Sequence, residues 1–197
     1  MSAYRVHHTA EVSDRASVGE GASIWHQAQV REGASVGANS VIGKGVYIGA
    51  DVSVGANCKV QNYSCVYEGT TLEDGVFVGP EVVFTNDRYP RAVNPDMTIK
   101  AASDWELEGS TVRSGASVGA RSVVLPGIEI GSWALVAAGS VVTKNIPAHA
   151  VVAGNPARQR GWVCVCAHPL DDALRCTAPG CGRRYQHTER GLATLDS

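Results

Sequence analysis

Aromatic residues are scarce in this chain, 6% of 197 residues, so a core must be built from small and β-branched side chains. Net charge is nearly absent, −2 at pH 7. That leaves no overall electrostatic footprint for nucleic acid or an anionic membrane. No apolar run approaches the ~18 residues of a membrane span. The opening MSAYRVHHTAEVSD also lacks a basic stretch followed by an apolar one. A soluble, cytoplasmic protein with neither nucleic acid nor membrane as partner is the expectation. Of the six cysteines, all but Cys58 and Cys65 crowd together near the C-terminus, which reads as a metal site more than a disulfide framework.

What is present is a repeat. Val12, Val18, Ile24, Val30, Val36, Ile42, Ile48, Val54, Val60, Val66, Leu72, Val78 and Phe84 fall six apart without a slip. The beat resumes at Val112 and runs through Val118, Val124, Ile130, Val136 and Val142. Two residues before each stands something small or β-branched, such as Ala22, Ser40, Val52 or Cys58. Neither a helical period of about 3.6 nor plain strand alternation gives a strict six. Short strands, each ending in a tight corner, do: positions i and i−2 face inward by the period-two rule. Glycine often follows the apolar residue, as in Val18-Gly19 and Val36-Gly37, where it would supply permissive backbone angles. Three hexads close one triangular coil, and the coils stack as parallel sheets.

Positions 18 apart then share a corner. One column, Glu20, Ala38, Ala56 and Asp74, is bland. A second holds His26, Lys44 and Asn62, flanked by Trp25 and Gln61. A third holds Glu32, Ala50, Glu68 and Asn86, flanked by Arg31, Tyr67 and Thr85. Singly, Glu68 reads as a solvated corner and His26 as a packing histidine. Polar and aromatic groups converging on two columns favour a site. The third column ends where the repeat breaks, in the segment 86–109. There Asp87, Arg88, Tyr89 and Arg91 offer a carboxylate, two guanidinium forks suited to phosphate and a ring able to stack on a base or sugar. A decorated surface excursion is the bland alternative, although irregular loops of this length are usually functional or disordered.

The segments IWHQAQVREGA, CKVQNYSCVYEGTTLEDGVFVGPEVVFTN and GNPARQRGWVC resemble the nucleotide-sugar 3-N-acyltransferases with hexapeptide repeats. Enzymes of that group acetylate UDP-2-acetamido-3-amino-2,3-dideoxyglucuronate or dTDP-linked 3-amino-6-deoxyhexoses. The similarity spans about residues 6 to 166. It implies an all-β, left-handed parallel β-helix over residues 1–160, acetyl-CoA as cosubstrate and a homotrimer. The handedness comes from the resemblance alone, since the crossover rule would give the opposite. The resemblance places Asn86 beside the sugar amine, and Glu32, Gln61 and Asn62 around the sugar and nucleotide. His26, Arg31, Tyr67 and Glu68 join them as substrate-site residues. VAAGSVVTKNIP and AGNPARQRGW are similar to the segment that binds the coenzyme. The nearly bare strip Gly119, Ala120, Ala137 and Ala138 would then accept the pantetheine arm, and Lys144 and Arg158 the phosphates. Small residues that merely permit tight coil packing are the bland reading of that strip.

Many relatives on this fold use a histidine base. The repeat body here offers only His26, because His7 and His8 precede the first expected coil and His149 follows the last. A γ-class carbonic anhydrase, which needs three histidines on neighbouring coils, is therefore disfavoured. After Trp162 the beat is gone. Residues 161–197 form a tail in which Cys164, Cys166, Cys176 and Cys181 resemble an irregular zinc ribbon, a closed thiolate set suited to structural zinc. His168 or His187 could replace one cysteine. Arg175, Arg183, Arg184 and Arg190 are balanced by Asp171, Asp172, Glu189 and Asp196, so no basic face is expected. The resulting expectation is N-acetyl transfer from acetyl-CoA to the 3-amino group of a UDP- or dTDP-linked sugar. The alternative is a non-catalytic trimeric scaffold or sugar-nucleotide-binding protein.

Overall fold

Two-residue strands recur at the hexad spacing from Arg5–Val6 to Val141–Val142, broken only between Val83–Phe84 and Thr111–Val112. The computed structural model describes residues 4–195; Asp196, counted above in the charge balance of the tail, lies outside them. The strands form three parallel sheets, which make the faces of a solenoid. Each strand pairs with its counterpart one coil further along the chain, as Arg5↔Ser23 and Lys59↔Phe77 show. Across the break the partners are more widely separated in sequence, as in Thr71↔Thr111 and Val83↔Val123. The inserted segment therefore leaves the solenoid and returns in register. Helix is almost absent: a single 3-10 turn, Ala102–Asp104, occurs among the described residues. None of those residues forms a helix long and apolar enough to cross a membrane.

The inward positions are those the repeat marks. From Ile24 to Val142 every apolar hexad residue is buried, and so are the small ones before it, including Ala28, Val46, Cys58 and Val76. Buried serines at the small position are satisfied on both sides. Ser64 donates to the Gly79 carbonyl at 2.7 Å and accepts the Val82 N–H at 3.2 Å, which cancels the cost of a buried hydroxyl.

Glycine at the corners works differently from the expectation. The glycine just after the apolar residue does not carry the left-handed backbone. That conformation falls two residues later, at Gly45 (φ 64°) or Asn57 (φ 58°). Gly19 and Gly79 are needed for close approach instead: a Cβ on either would sit 2.6 Å from the backbone nitrogen of the next coil, at Ala38 and Ala120.

The ends also differ from the expectation. Arg5–Val6 is already the first strand of its sheet, so His7 and His8 belong to the first coil. At the other end Ala150–Ala153 pairs with Leu135–Val136, so the sheet continues past His149. Arg158–Trp162 then closes that sheet as an antiparallel strand. Beyond it a small second cluster centres on Cys164, Tyr185 and Leu192, with the hairpin Tyr185–Thr188 and Gly191–Thr194. Trp162 packs against both clusters.

Phe84 is fully buried at the last strand before the break, where no side chain can shift to refill its volume cheaply. Phe84→Ala is expected to cost about 3–5 kcal/mol in chemical denaturation, read as a lowered midpoint at unchanged m-value.

Candidate functional site

The edge that follows the seven-stranded sheet carries Arg31 and Glu32, then Gly49 and Ala50, Tyr67 and Glu68, Thr85 and Asn86, and after the break Pro126 and Lys144. Stacking of coil on coil places these residues on one line, and the side chains interlock. Glu68 accepts from Asn86 Nδ2 at 3.2 Å, from the Tyr47 hydroxyl at 3.2 Å and from the Ala50 N–H at 3.4 Å. The Tyr47 and Tyr67 rings meet at 5.4 Å. Burial first, and the Glu68 charge second, push the Tyr47 phenol up, so it remains a donor. Arg31 and Glu32 form a two-pronged pair at 3.0 and 3.1 Å. Backbone hydrogen bonding first, and Arg31 second, hold the Glu32 carboxyl down. Asn86 is fixed from behind as well, its carbonyl accepting the Glu108 N–H at 3.1 Å where the inserted segment returns.

His26, Gln61 and Asn62 lie on a different edge, across the same sheet. His26 stacks on His7 at 3.5 Å and lies beside Trp25, over which Arg5 places its guanidinium at 5.1 Å. His8 completes the group, 4.3 Å from His7. The sequence expectation of a lone histidine in the body is therefore corrected: the first coil includes His7 and His8, and the sheet continues past His149 at the other end. Burial first, and then the neighbouring His26, lower the His7 pKa. Asn62 accepts the Lys44 N–H at 2.9 Å, which is a corner brace. Within one chain the His26 column and the Asn86 column do not meet.

The segment 86–109 is folded on itself. Asp87 caps the Tyr89 N–H at 2.9 Å, Val93 bridges Ile99, and Asp104 caps Ala101 at 2.8 Å. Arg88, expected to face phosphate, is engaged at the base of the loop. It grips Glu108 at 2.7–3.1 Å and donates to the Pro126 carbonyl at 2.8 Å. A cavity of about 220 Å³ inside the loop is lined by Asp87, Asp104, Glu106 and Glu108 against Arg88 and Lys100, an acidic balance. Tyr89 is 79% exposed, and Arg91 hydrogen-bonds only the adjacent Pro90 carbonyl among the described contacts.

Lys144 and Arg158 come together although well separated in sequence. With Thr143, Val152, Ala157 and Gln159 they line a cavity of about 220 Å³ where the closing strand folds back. Gly119, Ala120, Ala137 and Ala138 stack on the His26 edge, on the other side of the sheet's end. A Cβ at Gly119 would press on the Ala138 backbone. The same crowding occurs at Gly19 and Gly79, so coil packing alone accounts for glycine there. The third edge, bland before the break, is charged beyond it. Arg113 pairs with Glu73 and Glu129 beside a cavity of about 410 Å³ that Glu189 and Arg190 of the tail also line.

In the tail the four cysteine sulfurs lie within 4.8 Å of one another, with 164···181, 166···176 and 166···181 at 3.7, 3.5 and 3.8 Å. All are free thiols. A tetrahedron of thiolates about 2.3 Å from zinc has edges of roughly 3.8 Å, so the donor set fits that ion. Backbone donation from Arg183, then Cys176, brings Cys181 down to about 6, while desolvation first pushes Cys176 up to about 12. Without a cation the cluster cannot hold four anions. His168 is 3.7 Å from the Cys166 sulfur and outside the set of four, and His187 packs on Trp162. His149, 4% exposed, joins tail to solenoid. Its Nδ1 donates to the Val163 carbonyl at 2.9 Å and its ring meets Tyr185 edge-on, and burial keeps its pKa low.

Tyr47 and Glu108 are the functional neighbours that the column analysis missed. Tyr47 is an outward strand residue and not a corner one, so only the outward register Gln29, Tyr47, Cys65 would have exposed it.

Residues 15–50 match the family described as bacterial transferase hexapeptide (six repeats), and residues 114–144 match the hexapeptide repeat of succinyl-transferase. Over 84 residues, 43% of this chain, it is 44% identical to dTDP-3-amino-3,6-dideoxy-alpha-D-galactopyranose 3-N-acetyltransferase of Aneurinibacillus thermoaerophilus. Over 90 residues, 46% of this chain, it is 37% identical to serine acetyltransferase 2 of Arabidopsis thaliana. The matched regions span only 44% and 22% of those two relatives. Among solved structures, AntD, an N-acyltransferase from Bacillus cereus in complex with dTDP and coenzyme A, superposes with a TM-score of 0.57. It is 17% identical, with 80% of this chain and 83% of that one covered, a likeness of fold. A hexapeptide-repeat acetyltransferase of Vibrio cholerae complexed with acetyl coenzyme A has a TM-score of 0.56 at 22% identity, covering 66% and 70%.

The Arg88–Glu108 pair is half exposed, and such pairs add about 0–1 kcal/mol to global stability. Its effect is local. Arg88→Ala is expected to speed hydrogen exchange across 87–107 several-fold while the melting temperature stays within about 3 °C of the parent.

Proposed function

We propose that this chain, a member of the hexapeptide-repeat acetyltransferase family, moves an acetyl group from acetyl-CoA to the 3-amino group of a UDP- or dTDP-linked sugar. The observation that carries the reading is one continuous edge. Asn86 stands on it, and Lys144 stands on it two coils away, about 10 Å at the usual strand spacing, beside Arg158. In this reading the amine sits at the first position and the acyl carrier's phosphates at the second, with the arm between them bent.

The neutral amine attacks the thioester carbonyl carbon, and a tetrahedral intermediate forms. The C–S bond then breaks, the coenzyme leaves as thiolate, and the ammonium proton passes to it. An amine that arrives neutral needs no side-chain base. Asn86 accepts an N–H of the amine through Oδ1 and fixes its approach, an alignment of two bound reactants worth several kcal/mol. Tyr67, Glu32 and Arg31 share the same edge, and Tyr89 and Arg91 lie in the segment that follows Asn86. His26, Gln61 and Asn62 sit on the neighbouring edge. In a homotrimer one subunit's edge faces its neighbour's, which would bring the two columns and the small strip Gly119–Ala120 and Ala137–Ala138 around one substrate pair. The reduced thiols and a CoA cosubstrate both suit the cytoplasm.

The tail is assigned a structural zinc held by Cys164, Cys166, Cys176 and Cys181. With three buried residues in its own cluster, it lacks the apolar area to fold unaided.

The test incubates the protein with acetyl-CoA and a panel of UDP- and dTDP-linked 3- and 4-amino sugars, with product followed by mass. One acetyl group should be gained on a 3-amino sugar, and Asn86→Ala should lower kcat about 100-fold. No transfer to any amine, with assembly and metal intact, would instead support the non-catalytic sugar-nucleotide-binding scaffold. For the tail, the protein should contain one zinc per chain. Chelation or Cys176→Ser should abolish exchange protection over 163–195 and leave the solenoid's β signal unchanged; a tail that stays protected without metal rules out the structural role.

A further inference from the structure

We propose that Glu68, braced by Tyr47, is a positioning residue that fixes which way the Asn86 amide points. The proposal rests on the reading of Asn86 as the group that meets the amine. A carboxylate has no proton to give, so the Asn86 contact at 3.2 Å must be made by the amide NH₂. That turns Oδ1 away from Glu68. The Glu108 N–H holds the Asn86 backbone in place, and the Glu68 contact sets the amide, which leaves Oδ1 free to accept from an amine at this corner. An unbraced amide could flip and present donors, which would bind the amine's lone pair and tie up the electrons that must attack the thioester.

Glu68 also has the plainer role of a corner brace, and two other residues show what that role needs. Asp74 accepts the Ala56 N–H at 2.7 Å and Asn62 accepts the Lys44 N–H at 2.9 Å, each from the equivalent position one coil on. Glu68 makes the same bond to Ala50 at the longer 3.4 Å. Its extra methylene carries the carboxylate outward, where one oxygen meets the Tyr47 hydroxyl and the other meets Asn86. Glycine at position 49 does not explain this reach, since a Cβ there would crowd the Glu68 backbone nitrogen at 2.9 Å just as one at Gly43 or Gly55 would crowd Asn62 or Asp74. A residue serving only as a corner brace would be served better by aspartate.

That contrast supplies the experiment. Glu68→Asp keeps a corner brace of the Asp74 type and withdraws the carboxylate from Asn86, so folding and function separate. In the full-length protein the expected result is an unchanged melting temperature and a KM for acetyl-CoA within twofold of the parent. kcat should fall at least tenfold, and the Asn86 side-chain amide protons should exchange faster by NMR. Glu68→Gln, which keeps the reach, should lose less than Glu68→Asp, and Tyr47→Phe should cost two- to fivefold in kcat. In an Asn86→Ala background Glu68→Asp should add nothing. Parental kcat in Glu68→Asp, an unaltered Asn86 amide signal, or a fully additive loss on top of Asn86→Ala would each overturn the proposal. The amide signal is read without substrate. If the parent protein transfers no acetyl group while that signal still responds to Glu68→Asp, the proposed reaction fails and the orientation by Glu68 stands.

Discussion

Everything in this molecule depends on closing the backbone every three hexads so that each coil lies directly on the last. The approach is close enough that a Cβ on Gly19 or Gly79 would touch the backbone of the next coil. Parallel strands this short give few hydrogen bonds each, so the stack holds by repetition: a ladder of Val, Ile and Leu inside and serines such as Ser64 bonded twice to the following coil. Stability of this kind is a sum over neighbouring coils. It also explains why a core can be built here with so few aromatic residues, because the coils take small and branched side chains at their centres, with Phe84 the exception among the inward hexad positions.

The same closure decides how a site can be made. Any two residues one full coil apart are neighbours, so chemistry is assembled along an edge as a column, one residue per coil. Glu68 reaches Asn86 and Ala50 because they are one coil above and below it. A column by itself is open to water on its outer side. The inserted segment leaves the stack directly after Asn86, and its two ends are tied by Arg88 and Glu108 where the coil resumes. The break costs the stack no register, since Thr71 still finds Thr111. An excursion can therefore be long without disturbing the coils on either side.

These facts set what the sequence could disclose. The strands, the inward positions and the column from Glu32 to Asn86 follow from spacing, because a strict period converts position into geometry. The role of the corner glycines did not follow. Permissive angles and close approach both select glycine, and only coordinates separate them. The limits of the solenoid were also hidden. Arg5–Val6 joins the first sheet with Val6 six residues before Val12, but Tyr4 in place of a small residue disguises the hexad, and His7 is thereby stacked on His26 with His8 beside it. Arg88 illustrates a third kind of gap. Its guanidinium suits phosphate or carboxylate equally well, and Glu108, at the far end of the inserted segment, lies outside any repeat that would have paired them. Tyr47 was overlooked because polar function was sought at corners, whereas its phenol reaches the corner from the middle of a strand.

The C-terminal tail follows from the one weakness of a stacked fold, its exposed last coil. A terminal coil offers unpaired strand edges and an uncovered core, which invite association with other chains. Arg158–Trp162 turns back antiparallel on Ala150–Ala153 and closes one sheet, and Trp162 packs on both the solenoid core and the cysteine cluster. Just beyond it Cys164 begins the thiol set, with the Tyr185 hydroxyl 3.1 Å from its sulfur and the Tyr185 ring against His149. The cap thus runs without interruption from the cavity beside Arg158 to the sulfurs. A unit this small has no core large enough to hold that strand in place by burial. The zinc proposed for the four converging thiols would provide the missing rigidity through coordination, a route that does not require apolar area.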